Sequence, residues 1–440
     1  MSDNGLPGEP VKDASDAPED RAPAQAPGLG GAGDEPRPAD GGDGPGGTPA
    51  DGALGPPVNV GPLRWVMAVF HRAVRSQFLL IFLAMAISLL IGVVLMRIAG
   101  VSPIEGYRAM FKGAIYDWKG HTPERRIAPL TESVFSGVPL IVAGLGLAVG
   151  FRAGLFNIGG KGQVIMGGIA AAWVGFSYDL PPYVHLLACL AASIVAGGLY
   201  GFIAGYLKAT TGANEVIVTI MLNSIAGLLI AQLLRYDAFQ RPGSNEPKSP
   251  FIAENAELPG MPNPYKIDAG IIVALLAALA VWWLLERSTW GYELRAVGAN
   301  PNAARTAGMS IGKVTALTMA LSGALCGLAG GVTISSDVKA LTAQFDGTLG
   351  FDAITVALLG RNRPGGTIAA GLLFGAFRAG GSKMQISAHV PIDMVLILQA
   401  VIVLLIAAPA LVRWMFRLPK PDGLSIRKYV SLHSEKKVAA

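Results

Sequence analysis

The chain has 440 residues, of which 52% are hydrophobic and only 15% charged, and its formal net charge is +5. Soluble domains carry about 25% charged residues, so this composition excludes an ordinary soluble globular protein. It predicts an all-α integral membrane protein. The two cysteines, Cys189 and Cys326, lie in separate apolar runs and the five histidines are scattered, which excludes a disulfide framework and a clustered metal site.

The charge is unevenly divided. Residues 1–60 hold eleven Asp/Glu against three Lys/Arg, a net of −8, which leaves +13 for the rest of the chain. That first segment is Gly, Pro, Ala and Asp with hardly a large apolar side chain. It cannot bury enough surface to offset its ordering entropy, and reads as a disordered acidic tail. The basic remainder is the part that meets membrane lipids, where cationic edges are favoured by anionic headgroups.

Arg64, His71, Arg72 and Arg75 precede the first long apolar run, 78–96. Cations before a span place that side in the cytoplasm. Residues 97–131 are mixed polar and aromatic, with Tyr107, Tyr116 and Trp118, and read as an external loop with interfacial or short helical pieces. Runs of about 17–25 residues suit a bilayer crossing, and further ones fall near 132–150, 163–180, 184–206, 215–235 and 268–286. Six crossings return the chain to the cytoplasm at the polar stretch carrying Arg287, Arg295, Arg305 and Lys313. Four more runs follow near 313–335, 351–360, 366–381 and 391–412, the eighth short and broken at GRNRPGG. About ten spans with both termini cytoplasmic agree with Arg413, Arg417, Lys420, Arg427 and Lys428 after the last. The expected organisation is a tail over 1–60, a polytopic transmembrane domain over 61–415 and a basic cytoplasmic tail over 416–440.

Glycines recur at four-residue spacing: Gly197, Gly201 and Gly205, then Gly323, Gly327 and Gly331, then Gly371 and Gly375. That spacing aligns small residues on one helix face and predicts backbones in close approach, a glycine-rich bundle.

Three stretches set polar side chains near or within the spans. In FNIGGKGQ, Asn157, Lys161 and Gln163 surround Gly159, Gly160 and Gly162 between two spans with almost no spacer. Unwound backbone at such a place is tolerated where it is buried in protein or lines a wet cavity, although a tight cytoplasmic turn with Lys161 at the headgroups reads as well. The stretch is not a phosphate loop: Leu155 stands where the first glycine belongs, and Gly162 follows Lys161 in place of Ser or Thr. In ANEVIVTIMLN, Asn214 caps a helix with Glu215 in its first turn, and Thr219 and Asn223 share a face four residues apart. Amides in a span face the bundle interior or a cavity, so they serve as interhelical glue or as a lining suited to an uncharged, hydroxyl- or amide-bearing solute. In GFDAITVALLGRNRPGG, Asp352 opens a short span that Arg361 and Arg363 close, which is the pattern of a dipole-matched turn.

The polar stretch between the sixth and seventh spans holds Asn302-Ala303-Ala304-Arg305-Thr306-Ala307-Gly308. Ala303, Ala304 and Ala307 give a low-relief helix face, Asn302 is placed to cap it and Gly308 to end it. This run resembles the EAA-x-x-x-G segment of ABC importer permeases, with Asn in place of Glu. Together with FNIGGKGQ, ANEVIVTIMLN and the GRNRPGG region, it makes the chain similar, over most of residues 75–410, to the branch holding branched-chain amino acid, ribose and nucleoside permeases, and nearest to the nucleoside ones. The resemblance implies that 302–308 is a coupling helix docking on an ATPase. It also implies a partner set: a cytoplasmic ABC ATPase, a second permease subunit that is a related heterologous chain, and an extracytoplasmic solute-binding lipoprotein. ATP and Mg would be bound by the ATPase, with no cofactor in this chain and no nucleic acid as partner.

The leading reading is a non-catalytic permease subunit in the cell membrane, forming part of an ATP-driven path for a nucleoside. Asn157, Lys161, Gln163, Asn214, Glu215, Thr219 and Asn223 are its candidate path residues. Ribose, another simple sugar or a branched-chain amino acid is the alternative cargo. An ion-driven carrier acting alone is disfavoured because such carriers hold a buried carboxylate or His relay, and the sequence shows only Glu215 and Asp352, both at span ends. An enzyme is disfavoured for want of a nucleophile–base grouping.

Overall fold

The computed structural model describes residues 77–243, 246–408, 411–412 and 415–416. The acidic segment 1–60, the cations at 64–75, Arg413 and the basic residues from 417 onward lie outside these.

The described residues form thirteen α-helices, as a chain in lipid must when every backbone N–H and C=O has to be satisfied internally. They are α1 (Gln77–Ile98), α2 (Pro103–Ala114), α3 (Pro123–Arg152), α4 (Gly160–Ser177), α5 (Val184–Thr211), α6 (Glu215–Leu233), α7 (Gly270–Arg287), α8 (Thr289–Ala299), α9 (Pro301–Thr306), α10 (Ile311–Thr333), α11 (Leu349–Leu359), α12 (Pro364–Ala388) and α13 (Ile392–Ala407). Five of them, α3, α5, α6, α7 and α10 with its π-turn extension to Val338, are long and apolar enough to cross a membrane, and α1, α11 and α13 contain shorter apolar stretches.

Two expectations need correction. Residues 97–131 are largely helical: α2 is an amphipathic helix, and α3 starts at Pro123, nine residues before the predicted span. Thr122 caps α3 by accepting from the Arg125 N–H, with Pro123 at the first position, where a missing N–H costs nothing. The helix extends beyond the hydrophobic run, so hydropathy could not show its start. The second concerns the polar stretch between the sixth and seventh spans, where only 302–308 is expected as a helix and α8 forms as well. Ser288 Oγ accepts from the Gly291 N–H at 2.9 Å and donates to the Leu284 carbonyl at 2.6 Å, so α8 folds directly back from α7.

α3 and α10 form the centre of the bundle, with 72% of their apolar windows buried, whereas α6 and α7 are peripheral at 22% and 33%. The glycine spacing explains how α10 gets there. A β-carbon on Gly197 would stand 2.5 Å from Gly327 Cα, one on Gly327 2.8 Å from Gly197 Cα, and one on Gly323 2.9 Å from Gly201 Cα. The α5 and α10 backbones therefore touch, and Gly167 and Gly330 bring α4 equally close to α10. A second seam joins Gly371 and Gly375 of α12 to Gly137 and Ile141 of α3. With no hydrophobic force between helices in lipid, such close packing is a main source of association. Cys189 and Cys326 are buried and unpaired within this core.

From α3 to α7 the helix ends alternate between two faces. On one, Arg152 at the end of α3 donates to the Asn362 carbonyl at 2.9 Å and meets Glu286 of α7 at 4.0 Å. Gly298 of α8 packs on Arg152 and Ala153, and Gly312 on Ala209 of α5. On the opposite face, the 234–269 connection joins the 334–348 connection through Ile252 N–H to the Lys339 carbonyl (3.0 Å) and Leu258 N–H to the Ser335 carbonyl (2.9 Å). Lys266 pairs there with Glu132 of α3 at 2.9 Å.

Candidate functional site

The α3–α4 connection, 153–159, turns back into the bundle. Gly154 adopts φ +72 against Gly298, a conformation natural to glycine, and the chain then rises until Gly160 packs on Leu147 of α3. Helix α4 thus starts inside the bundle, with unwound backbone that needs hydrogen-bond partners.

Asn157 of the turn itself and side chains of α6 supply them. Asn157, fully buried, accepts from the Gly159 N–H at 2.8 Å, and its amide N–H₂ donates to Gln163 Oε1 at 3.0 Å and to Ser322 Oγ of α10 at 2.9 Å. Asn223 of α6 holds the same turn from the other side: its Oδ1 accepts from the Gly162 N–H at 2.8 Å, and its Nδ2 donates to the Ile158 carbonyl at 2.9 Å. Thr219, one helical turn earlier and also buried, lies against Gly159 and donates to the Glu215 carbonyl at 2.7 Å. The side-by-side placement of Thr219 and Asn223 follows from their i, i+4 spacing.

At the start of α6, Asn214 accepts from the Val216 and Ile217 N–H groups, as expected for an N-cap. Glu215 forms an ion pair with Lys208 at the end of α5 and accepts weakly from the Phe156 N–H at 3.5 Å. Five of the seven candidate path residues, Asn157, Gln163, Glu215, Thr219 and Asn223, therefore converge on one turn. In this conformation Asn157, Gln163, Thr219 and Asn223 are bonded within the protein, in the arrangement of interhelical glue.

Of the other two, Asn214 caps α6 without touching the turn, and Lys161 points away from it. Its Nζ stands 3.7 Å from Asp346 Oδ2, whose side chain is 2% exposed. Asp346 was missed by the sequence reading, which found no carboxylate away from span ends, and this removes that argument against an ion-driven carrier. Residues 339–350 are not a surface loop but run inward along α4, with Phe345 on Gly168 and Gly350 on the Lys161 backbone. The available signal was the unusually short run after FDG: an apolar helix of about ten residues is too short to cross a bilayer, so the residues before it must already lie at depth. Asp352 does stand in the first turn of α11, as expected, and accepts from Thr348 Oγ1 at 2.7 Å.

Helix α9 lies on the face shared by Arg152, Glu286 and Gly298. Its cap is Asn300, not Asn302: Asn300 Oδ1 accepts from the Asn302 and Ala303 N–H groups, both at 3.1 Å, and Pro301 takes the first helical position. Gly308 ends the helix as anticipated, at φ +83, with its N–H on the Arg305 carbonyl and the Met309 N–H on the Ala304 carbonyl, each at 3.0 Å, the pairing of a glycine-terminated helix. The alanines do not form one face. Ala304 is 3% exposed and anchors the helix, while Asn302, Ala303, Arg305 and Ala307 are exposed, so the helix rests on the bundle along the narrow stripe at Ala304. Three residues after Gly308 the chain enters α10, which carries Ser322 to the turn.

Among the described residues no group of His, Cys, Asp and Glu is arranged to hold a metal ion.

Comparison with known proteins adds the context. Residues 130–407 match the family described as branched-chain amino acid transport system / permease component. The chain is 38% identical over 358 residues to the guanosine ABC transporter permease protein NupP of Bacillus subtilis, an alignment covering 79% of this chain and 98% of the relative. It is 34% identical over 327 residues to the glucose ABC transporter permease protein TsgB13 of Haloferax volcanii, covering 72% and 83%. It is 30% identical over 366 residues to the nucleoside ABC transporter permease protein NupB of Lactococcus lactis, covering 80% and 96%. No solved structure matches the chain. With its apolar helical bundle, this chain belongs to that permease-component family and is a non-catalytic, multi-pass membrane subunit of an ABC importer.

Proposed function

We propose that the cargo is a nucleoside. The observation that carries this reading is the similarity to the guanosine permease over nearly all of that relative's length, joined by the nucleoside permease from Lactococcus. A simple sugar is the second reading, favoured by the similarity to the glucose permease.

In this reading the chain crosses the membrane about ten times with both termini in the cytoplasm, and the face bearing α9 is the cytoplasmic one. A separate ATPase, which binds ATP and Mg, docks on the exposed residues Asn302, Ala303, Arg305 and Ala307, with Ala304 and Gly308 shaping the helix behind them. Closure of the ATPase pushes α9, α10 transmits the push along its glycine seam, and the Ser322–Asn157 bond delivers it to the 153–159 turn. The turn then moves relative to α6, which Asn214 caps and from which Glu215, Thr219 and Asn223 hold it, and relative to Lys161 and Gln163 of α4. These residues brace the part of the path that opens and closes, a two-state element biased from a distance. The opposite face, where Glu257, Asp268, Asp337 and Lys339 line a polar recess, receives a solute-binding lipoprotein. Burial raises the Asp268 carboxyl above the usual range, opposed by the Gly270 N–H, while nearby Asp337 adds to the rise. A second, related permease completes the path.

Uptake competition tests the cargo. Cells carrying the transporter as their sole nucleoside system are given labelled guanosine with excess unlabelled uridine, adenosine, glucose, ribose or leucine. Competition by nucleosides alone supports the proposal; competition by glucose or ribose with none from nucleosides selects the sugar reading.

A further inference from the structure

Around most of the bundle, side chains exposed at membrane depth are apolar. On α6, for example, Ile217, Met221 and Leu228 are 59%, 63% and 73% exposed, as expected where a chain meets lipid or an apolar partner. One stretch breaks this rule. Helix α11 starts inside the bundle, because Gly350 lies on the Lys161 backbone and Gly160 lies on Leu147. Yet Gln344 and Thr348 beside that start are exposed, and Asp352 is only partly covered. On α12, Arg378 and Ser382 are exposed one turn apart. The parts form one surface: the Arg378 guanidinium lies 3.5 Å from where a Gly347 β-carbon would stand, next to Thr348, which bonds Asp352, and Ser382 Oγ donates to the Arg378 carbonyl at 3.0 Å. Phe351, 48% exposed, stands beside Asp352.

A carboxylate or guanidinium turned toward hydrocarbon costs at least about 2.5 kcal/mol on insertion scales. This surface therefore fronts water or polar groups. Behind it, partly exposed Lys161 pairs with buried Asp346 and fixes the start of α11 to α4.

We propose that this surface is the solute-contacting wall of the path, and that it takes a neutral ligand combining a flat ring with vicinal hydroxyls. The inference rests on the nucleoside-permease reading and deepens it. Thr348 occupies one Asp352 oxygen and leaves the other to accept from a ligand hydroxyl. Gln344 and Arg378 supply donors, and Phe351 offers an apolar platform for the ring. The buried amides around Asn157 have no such freedom, since each is bonded within the turn.

The assembled transporter in proteoliposomes provides the test. Thr348→Cys and Ser382→Cys are treated with a membrane-impermeant methanethiosulfonate; Cys189 and Cys326 are buried and give little background. The proposal predicts modification at both positions that saturating guanosine, delivered with the receptor, prevents. It also predicts that Asp352→Asn raises KM for guanosine uptake by about ten- to a hundredfold, the effect of losing a charged hydrogen bond, with an unchanged melting temperature. Modification by a lipid-soluble reagent alone overturns the proposal in favour of a lipid-facing surface. Modification in the isolated chain but not in the complex overturns it in favour of a contact with the second permease. Modification unaffected by any solute, with KM unchanged in Asp352→Asn, overturns it as well. Protection by glucose but not by guanosine would keep the wall and defeat the nucleoside reading.

Discussion

Asn157 donates to Ser322 across 165 positions of sequence, at 2.9 Å, with the Asn157 side chain fully buried. That bond joins the unwound turn before α4 to α10, the helix that leads directly out of α9. The same amide group also donates to Gln163, and its oxygen accepts from Gly159, so the two residues differ in what their loss exposes. Ser322→Ala leaves Asn157 with its partners in the turn and should cost little, near the average of about 0.6 kcal/mol for a hydrogen bond between membrane helices. Asn157→Leu strands the Gly159 N–H as well as Gln163, and should cost about 2–3 kcal/mol. A thiol-reactive dye following exposure of Cys189 and Cys326 on heating would show a melting temperature nearly unchanged for the first variant and clearly lowered for the second.

The glycine seam gives a paired prediction. Gly327→Leu should abolish folded protein in the membrane, because its β-carbon would stand 2.8 Å from Gly197 Cα and the backbone of α5 cannot give way without parting the helices. Gly227→Ala, where nothing lies within 4 Å, should be neutral or stabilising by up to about 1 kcal/mol through helix propensity. Yield of monodisperse protein after extraction reads both.

Breaking the Lys161–Asp346 pair should be worse than removing it. Lys161→Met leaves a buried carboxylate without its cation, and since Lys161 is a third exposed the loss should be about 2–3 kcal/mol, below that of a fully buried pair. Lys161→Met with Asp346→Asn should recover most of it. A double variant less stable than Lys161→Met in the same melting assay would show that Asp346 is held by something else.

Gly308 is constrained by conformation and not by space: its φ is +83, and nothing lies within 4 Å of an added β-carbon. A β-branched residue there should cost about 1–2 kcal/mol of local backbone energy and loosen the end of α9, whereas Gly308→Asn should be close to wild type. Uptake should fall for Gly308→Val and be retained for Gly308→Asn, with both variants inserted normally.

Much of this architecture could be read from the chain because its signals are local. Gly197/Gly201/Gly205 and Gly323/Gly327/Gly331 announce close packing through their spacing alone, and Asn214 announces a cap through its place before Glu215. The features that escaped depend on distant partners or fall outside the hydrophobic signal. Asp346 meets Lys161 only because 339–350 runs inward, which no local pattern encodes. The first turns of α3 are helical but polar, so hydropathy is silent there. Asn300 takes the cap from Asn302 because Pro301 suits the first helical position, a choice of two residues that only the folded backbone resolves. Ala304 turned inward for a similar reason, since a short helix lying on the bundle must bury one side.

The central claim is that α9 carries the push of a partner ATPase to the path. Ala307 is exposed and can be enlarged without a clash inside the chain, so Ala307→Trp in the reconstituted transporter tests it most directly. ATP-driven guanosine uptake should fall at least tenfold while the variant inserts, melts and binds its second permease as wild type does. Uptake at the wild-type rate, with the tryptophan confirmed in place, would contradict the account.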